Sequence, residues 1–332
     1  MQYCNFPHYI LIILTVLTTS CSVEKYIPEG ERLYTGGEVI INSDSTIVNQ
    51  NLLKAELESV LRPSPNTKIL GMYPNLSIHY KAQRENPGVI NKWLNKKIGE
   101  EPVYLSDINP KRIEQLMFNR LDNRGFFYSK ITSVIDSTQK NASIIYTANL
   151  SKPYTLEEFA LEKDSLTIYT EIEKALQETE IKAGDRFDLE LMKFERERID
   201  HQLKQRGYYN FNPDFLIFEA DTNRYDNKRF DLFLRLKRNL PKKTVRAYSI
   251  DSISVYPNFS IDTDMESELS ATSINGIDFY QEKEFFKPKK LEPYILFTKG
   301  QQYNSEAARL TSNRLSALGV YKYVNISLNE MD

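Results

Sequence analysis

Glu195, Glu197, Arg198 and His201 lie close together in the chain and are of the residue types that move protons in active sites. General acid–base work needs two such groups turned to one substrate, and side chains two apart on a helix point away from each other. Glu195 with Arg198 and Glu197 with His201 therefore read as solvated surface pairs, each worth a few tenths of a kcal/mol. Asp262, Asp264 and Glu266 supply the opening acids of a calcium loop without its glycine and terminal glutamate, so this segment reads as a helix opening. His79 has no neighbouring cysteine, and 3 His with 2 Cys provide no zinc set. No strand-to-helix turn carries a nucleophile elbow or a phosphate cradle. The chain reads as a non-enzyme with no cofactor and no metal. With 43 Lys+Arg against 45 Asp+Glu, a net charge of −2 also argues against a nucleic-acid partner. A local basic stretch, residues 228–246, opposes eight Lys or Arg to Asp231 alone. It fits either an anionic lipid headgroup or acidic client, or the solvent face of a sheet with its linker.

The remaining chemistry is an attachment. Residues 10–17 form an apolar run too short to span a bilayer, followed by small residues and Cys21. This segment resembles the lipobox of bacterial lipoproteins. The resemblance implies cleavage after Ser20, acylation of Cys21 and a body on the periplasmic side of a membrane. Cys4 leaves with the leader, so Cys21 becomes the sole mature cysteine, and a lipid on its sulfur accounts for an unpaired thiol in an oxidising compartment.

The elements behind the leader repeat. Asn109, Asp188 and Asn304 each stand where a helix cap is needed, ahead of an amphipathic helix with a leucine four residues before a glycine. Those glycines, Gly125, Gly207 and Gly319, are placed to stop the helix in the left-handed conformation and swing the chain into a strand. A strand and a first helix precede each capped helix in the first two units: residues 33–41 with Leu53, Leu57, Val60 and Leu61, then residues 154–161 with Ile168, Ile172, Ala175 and Leu176. Two strands follow, residues 127–135 and 143–150 in unit one, 215–219 and 229–237 in unit two. Helices on one face of a three-stranded sheet make an α+β layer in the order β-α-α-β-β.

This tandem unit, with Gly184, Phe187 and Asp188 matching Gly300, Tyr303 and Asn304, resembles the POTRA domain of Omp85 (BamA/TamA) outer-membrane assembly proteins. Unit one carries instead an insertion through Arg62, Pro63, Pro65, Asn66, Ile69, Leu70, Gly71, Trp93, Gly99, Glu100, Pro102 and Val103, similar to the lipid-anchored TamA-like group, TamL. The expected organisation is a signal peptide over 1–20, a lipidated tether over 21–30, and POTRA-like units over 31–152, 153–240 and 241–332. The last is expected to end before its third strand, with residues 321–328 as its second. The resemblance implies an outer-membrane, lipid-anchored protein whose arm lies in the periplasm and binds unfolded outer-membrane protein clients or a TamB-like inner-membrane partner, with membrane lipid held through the acylated Cys. It places the client-binding edge on the strand after each capped helix, at Phe127 and Ile131, Phe215 and Ile217, Tyr321 and Tyr323, where β-augmentation gains main-chain hydrogen bonds from any extended segment. The rival reading is a tethered scaffold that binds only a partner protein and takes no part in membrane insertion.

Overall fold

A computed structural model describes residues 23–259 and 270–331, with two compact units divided between Tyr154 and Thr155. The first contains β1 (Leu33–Ser43), α1 (Gln50–Glu58), α2 (Pro74–Ala82), α3 (Val89–Ile98), α4 (Pro110–Asn123), β2 (Lys130–Ser137) and β3 (Asn141–Leu150). Its sheet runs β1-β3-β2, with β1 parallel and β2 antiparallel to the central β3. β3 sends every second side chain, Ala142, Ile144, Tyr146 and Ala148, into the core. Leu53 and Leu57 of α1, with Ile113, Met117 and Leu121 of α4, cover that face at helical spacing. Gly36 and Gly37, which in sequence suggest a plain bend, lie in β1 where its register against β3 shifts.

α2 and α3 pack on each other and form the body of the insertion. The loop before them is held by polar contacts: the Asn66 amide donates to the Glu101 carbonyl at 2.7 Å and accepts from the Val103 N–H at 2.9 Å. The expected tether is largely part of this fold. Residues 24–26 make a 3₁₀ turn, and Val23 and Ile27 are buried with Leu33 and Leu76 in a small second core. Tyr26 stacks on Tyr80 at 5.2 Å.

The second compact unit starts with β4 (Thr155–Leu161), α5 (Ile168–Leu176), α6 (Leu189–Gln205), β5 (Leu216–Asp221) and β6 (Arg229–Leu236). Its sheet runs β4-β6-β5 with the same parallel and antiparallel pairings. β6 buries Phe230, Leu232, Leu234 and Leu236. A third sheet follows from β7 (Ser254–Val255), β8 (Ser270–Ile274) and β9 (Ile277–Gln281), then α7 (Pro288–Leu291) and α8 (Ser305–Ser316). The architecture is α+β in three tandem sheet-and-helix units, the last two within one compact body.

The third unit departs from the expected strand order. Its sheet runs β7-β9-β8, again with the first strand parallel to the central one, but its second and third strands precede the helices. Residues 321–328 form no strand. The place beside β7 is taken by β9, supplied by a hairpin closed at Asn275 and Gly276, both in the left-handed region at φ 50 and 78. Asn-Gly is the sequence that a type I′ turn requires, and pairing across two residues costs far less closure entropy than pairing across two helices.

Candidate functional site

The edges of the three sheets are positioned by one repeated set of main-chain contacts. Each capped helix starts where its cap accepts free N–H groups: Asn109 from Arg112 at 3.0 Å, Asp188 from Glu190 at 3.0 Å, Asn304 from Glu306 at 2.8 Å. Each ends before a glycine in the left-handed region, Gly125 at φ 83, Gly207 at φ 90 and Gly319 at φ 68. In unit one the Phe126 N–H reaches the Leu121 carbonyl at 3.0 Å and the Gly125 N–H the Asp122 carbonyl at 2.9 Å, the pair of bonds that closes a Schellman end. The segment ahead of the capped helix ties back to the first strand. Gly184 N–H donates to the Leu156 carbonyl at 2.7 Å while Leu156 N–H donates to the Asp185 carbonyl at 2.8 Å. Gly300, Ile250 and Gln301 repeat this pattern, both bonds at 2.7 Å. In unit one the Val103 carbonyl accepts from the Tyr34 N–H at 2.9 Å, so a similar tie is made without a glycine.

The outer strands carry the residues expected to bind clients, but not all in the expected places. β2 is an edge, paired only with β3; Ile131 lies on it half-buried against the first core, while Val134 and Ile135 are exposed. Phe127 precedes the strand and meets the Tyr154 ring edge-on at 5.5 Å. β5 is likewise an edge, with Ile217 on it; Phe215 closes the 3₁₀ turn before it and packs edge-on against Phe211 at 5.7 Å. Glu219 of β5 pairs with Arg235 of β6, which holds the carboxyl below its ordinary range. In the third unit Tyr321 packs against Phe286 at 5.1 Å and Tyr323 is exposed, neither on a strand. Phe127, Phe215, Tyr321 and Tyr323 are therefore not strand-edge residues: two precede an edge and two follow a helix whose sheet is already filled.

The opposite edge of the second sheet, which the repeat pattern does not single out, carries a groove. Among the strands β4 pairs with β6, its outer side meets residues 184–186 only at Thr155 and Leu156, and between residues 157–161 and Leu176, Thr179, Ile181 and Ala183 lies an open cavity of about 430 Å³. Phe159 and Leu161 line it as half-buried residues of the second core, and the register shift between Leu156 and Glu158 marks where β4 bends away from its tie to residues 184–186. The signal present in the sequence is Glu157 and Glu158, which interrupt the alternation of an otherwise apolar strand.

Glu195 is not a surface acid. It is 0 % exposed on the core side of α6, and Arg198 grips it with both arms at 2.8 and 2.7 Å while also donating to the Ala175 carbonyl at 2.8 Å. The bidentate fork lets a carboxylate enter a helix–helix seam, because the lone pairs it withdraws from water meet fixed donors. His201 stays exposed. The basic stretch is partly neutralised from outside: Arg229 pairs with Glu157 at 2.8 Å and Arg235 with Glu219, whereas its one acid, Asp231, is buried and is taken by Arg224, which lies outside the stretch, at 2.8 Å. Ser20, Cys21 and residues 262–266 lie outside the described residues. No helix among the described residues is long and apolar enough to cross a membrane.

No protein-family model matches the chain, and no curated protein matches it. Solved structures do. The crystal structure of Haemophilus influenzae BamA POTRA3-5 is similar at 12 % identity over 90 % of this chain and 91 % of that one, with a TM-score of 0.39. POTRA1-3 of the periplasmic domain of Omp85 from Anabaena is similar at 13 % identity over 91 % of each chain, with a TM-score of 0.28. The N-terminal domain of Omp85 from Thermosynechococcus elongatus is similar at 12 % identity over 91 % of this chain and 92 % of that one, with a TM-score of 0.27. The strand orders and pairings of this chain itself define its fold.

Proposed function

We propose that this chain is the periplasmic POTRA arm of a lipid-anchored outer-membrane assembly or translocation factor, holding client β-strands, or a TamB-like partner, by β-augmentation. Its Cys21 carries the lipid, and no step of its work is enzymatic. The observation that supports the reading best is the β4 edge: a short strand whose outer side is tied only at Thr155 and Leu156, beside an open groove lined by Phe159, Leu161, Leu176 and Ile181 together with Glu157 and Glu158. β2 and β5 offer further edges of the same kind. Main-chain pairing reads sequence loosely, which suits many different unfolded barrel segments.

A chain beginning at Ser22 retains every described residue and contains no cysteine, so single labels can be placed at will. With a label at Glu158, Ser133 or Ile217, an extended barrel-derived peptide of alternating apolar residues is expected to change the signal at one edge. The same peptide N-methylated on alternate residues is expected to bind at least about tenfold more weakly, because each methyl removes a ladder donor. Equal binding of both peptides, or none of either, would leave the tethered scaffold as the better reading.

A further inference from the structure

The insertion of the first unit exposes an apolar stripe that neither its own fold nor the strand-binding reading uses. On α3, Val89, Ile90 and Trp93 are 84, 73 and 59 % exposed, and no residue of this helix is buried. At about 100° per residue these three occupy one sector, flanked on one side by Lys92 and Lys96, with Lys97 one turn beyond Trp93 at the C-terminal end of the stripe. The helix holds no acidic residue, and among the described residues no carboxylate pairs with any of the three lysines. A lone exposed apolar side chain needs no account, whereas a clustered stripe edged by cations does. The same insertion raises Leu70, 92 % exposed, at the tip of a tight turn where its φ of 48 lies in the left-handed region.

We infer that α3 is a membrane-interface helix, which seats its Val89, Ile90 and Trp93 stripe among the acyl boundary of an anionic phospholipid bilayer while Lys92, Lys96 and Lys97 reach the headgroups. Charge and position choose this occupant. A lysine-rich polar edge beside an aromatic and aliphatic face is the composition that lies in an interface, and long lysines keep their ammonium groups in water while their stems cover apolar surface. Val23 is buried in the core shared with Leu76 of α2, the helix on which α3 packs. Two residues of chain span at most about 7 Å, so a lipid on Cys21 enters the membrane close to this insertion. The inference rests on the anchored-arm reading for the presence of that membrane, but not for its test.

Trp93 is the one tryptophan of the chain, so its emission reports α3 alone. The chain beginning at Ser22, which cannot be acylated at position 21, is mixed with vesicles of phosphatidylcholine or of phosphatidylcholine with phosphatidylglycerol. A blue shift and co-sedimentation with the anionic vesicles are expected, the affinity falling on the order of 100-fold when Lys92, Lys96 and Lys97 are all changed to Gln. Val89→Ser with Ile90→Ser is expected to abolish the shift; both side chains are exposed, so the fold remains. An unmoved Trp93 emission, a shift that survives either variant, or a shift that follows protein concentration without vesicles, which would mean a second copy covers the stripe, overturns the inference. Labelled palmitate on the full chain against Cys21→Ser tests the anchor separately.

Discussion

Arg198 shows how much a single side chain can hold. Its guanidinium provides the two charged donors on the buried Glu195 carboxylate and also a bond to α5 through Ala175. Arg198→Ala would leave that carboxylate in the seam without its partner, and a loss of about 3–5 kcal/mol is expected in urea unfolding. Replacing both residues by leucine is expected to cost much less, since the desolvation penalty leaves with the charge. Glu100 does related work in the insertion. Burial opposes its ionisation, but the Thr67 N–H at 2.7 Å and the Asn75 amide at 2.9 Å outweigh that and hold its carboxyl below the ordinary value. A lowered folded value means a contribution to stability that is whole above the ordinary value of 4.5 and drains as pH falls through the lowered one. Protection of the Thr67 amide against exchange, taken relative to its intrinsic rate at each pH, is expected to fall over that acid range in the native chain, and Glu100→Gln is expected to flatten the dependence.

At the scale of elements, the helix-ending glycines do more than stop helices. The Gly125 carbonyl accepts from the Tyr154 N–H at 3.1 Å, and the Gly207 carbonyl accepts from the Tyr248 N–H at 2.8 Å. Gly207 is the tighter case: a Cβ there would come within 2.8 Å of the Gln302 side chain, which itself donates to the Arg206 carbonyl at 3.0 Å. Gly207→Ala combines a left-handed backbone with displacement of Gln302, and a loss of about 1–2 kcal/mol is expected in thermal unfolding of the second compact unit. These caps and glycines are legible in the sequence because each is a local requirement, carried by one residue type at one position. Two departures are not legible in the same way. The spacing of Glu195 from Arg198 is the same for a surface pair and a buried one, and only the helix packed above it decides. The β8–β9 hairpin does announce itself through Asn275 and Gly276 between alternating runs, but a strict repeat of the unit calls for strands after the capped helix, at residues 321–328, and so points the other way.

Over the whole molecule, three cores are filled by the same plan: a central strand with every second residue buried, and helices covering one face. The α+β class and the first two units can be read from periodicity, since burying one face of a sheet demands period two and covering it demands period 3.6. Open edges beside a groove cannot. Which outer strand stands beside a groove depends on how its neighbouring helix sits, so β4 emerges only from packing, whereas β2 and β5 follow from strand order.

The burial of Val23 has a consequence for any lipid at Cys21. A flexible spacer of about twenty residues would let a body wander over about 25 Å from its anchor and dilute each surface element accordingly. Two residues ahead of a packed core allow no such wandering. The first unit would then meet the bilayer at an effective concentration in the millimolar range or above, so that even a weak interfacial preference of one helix face sets how that unit is turned on the membrane.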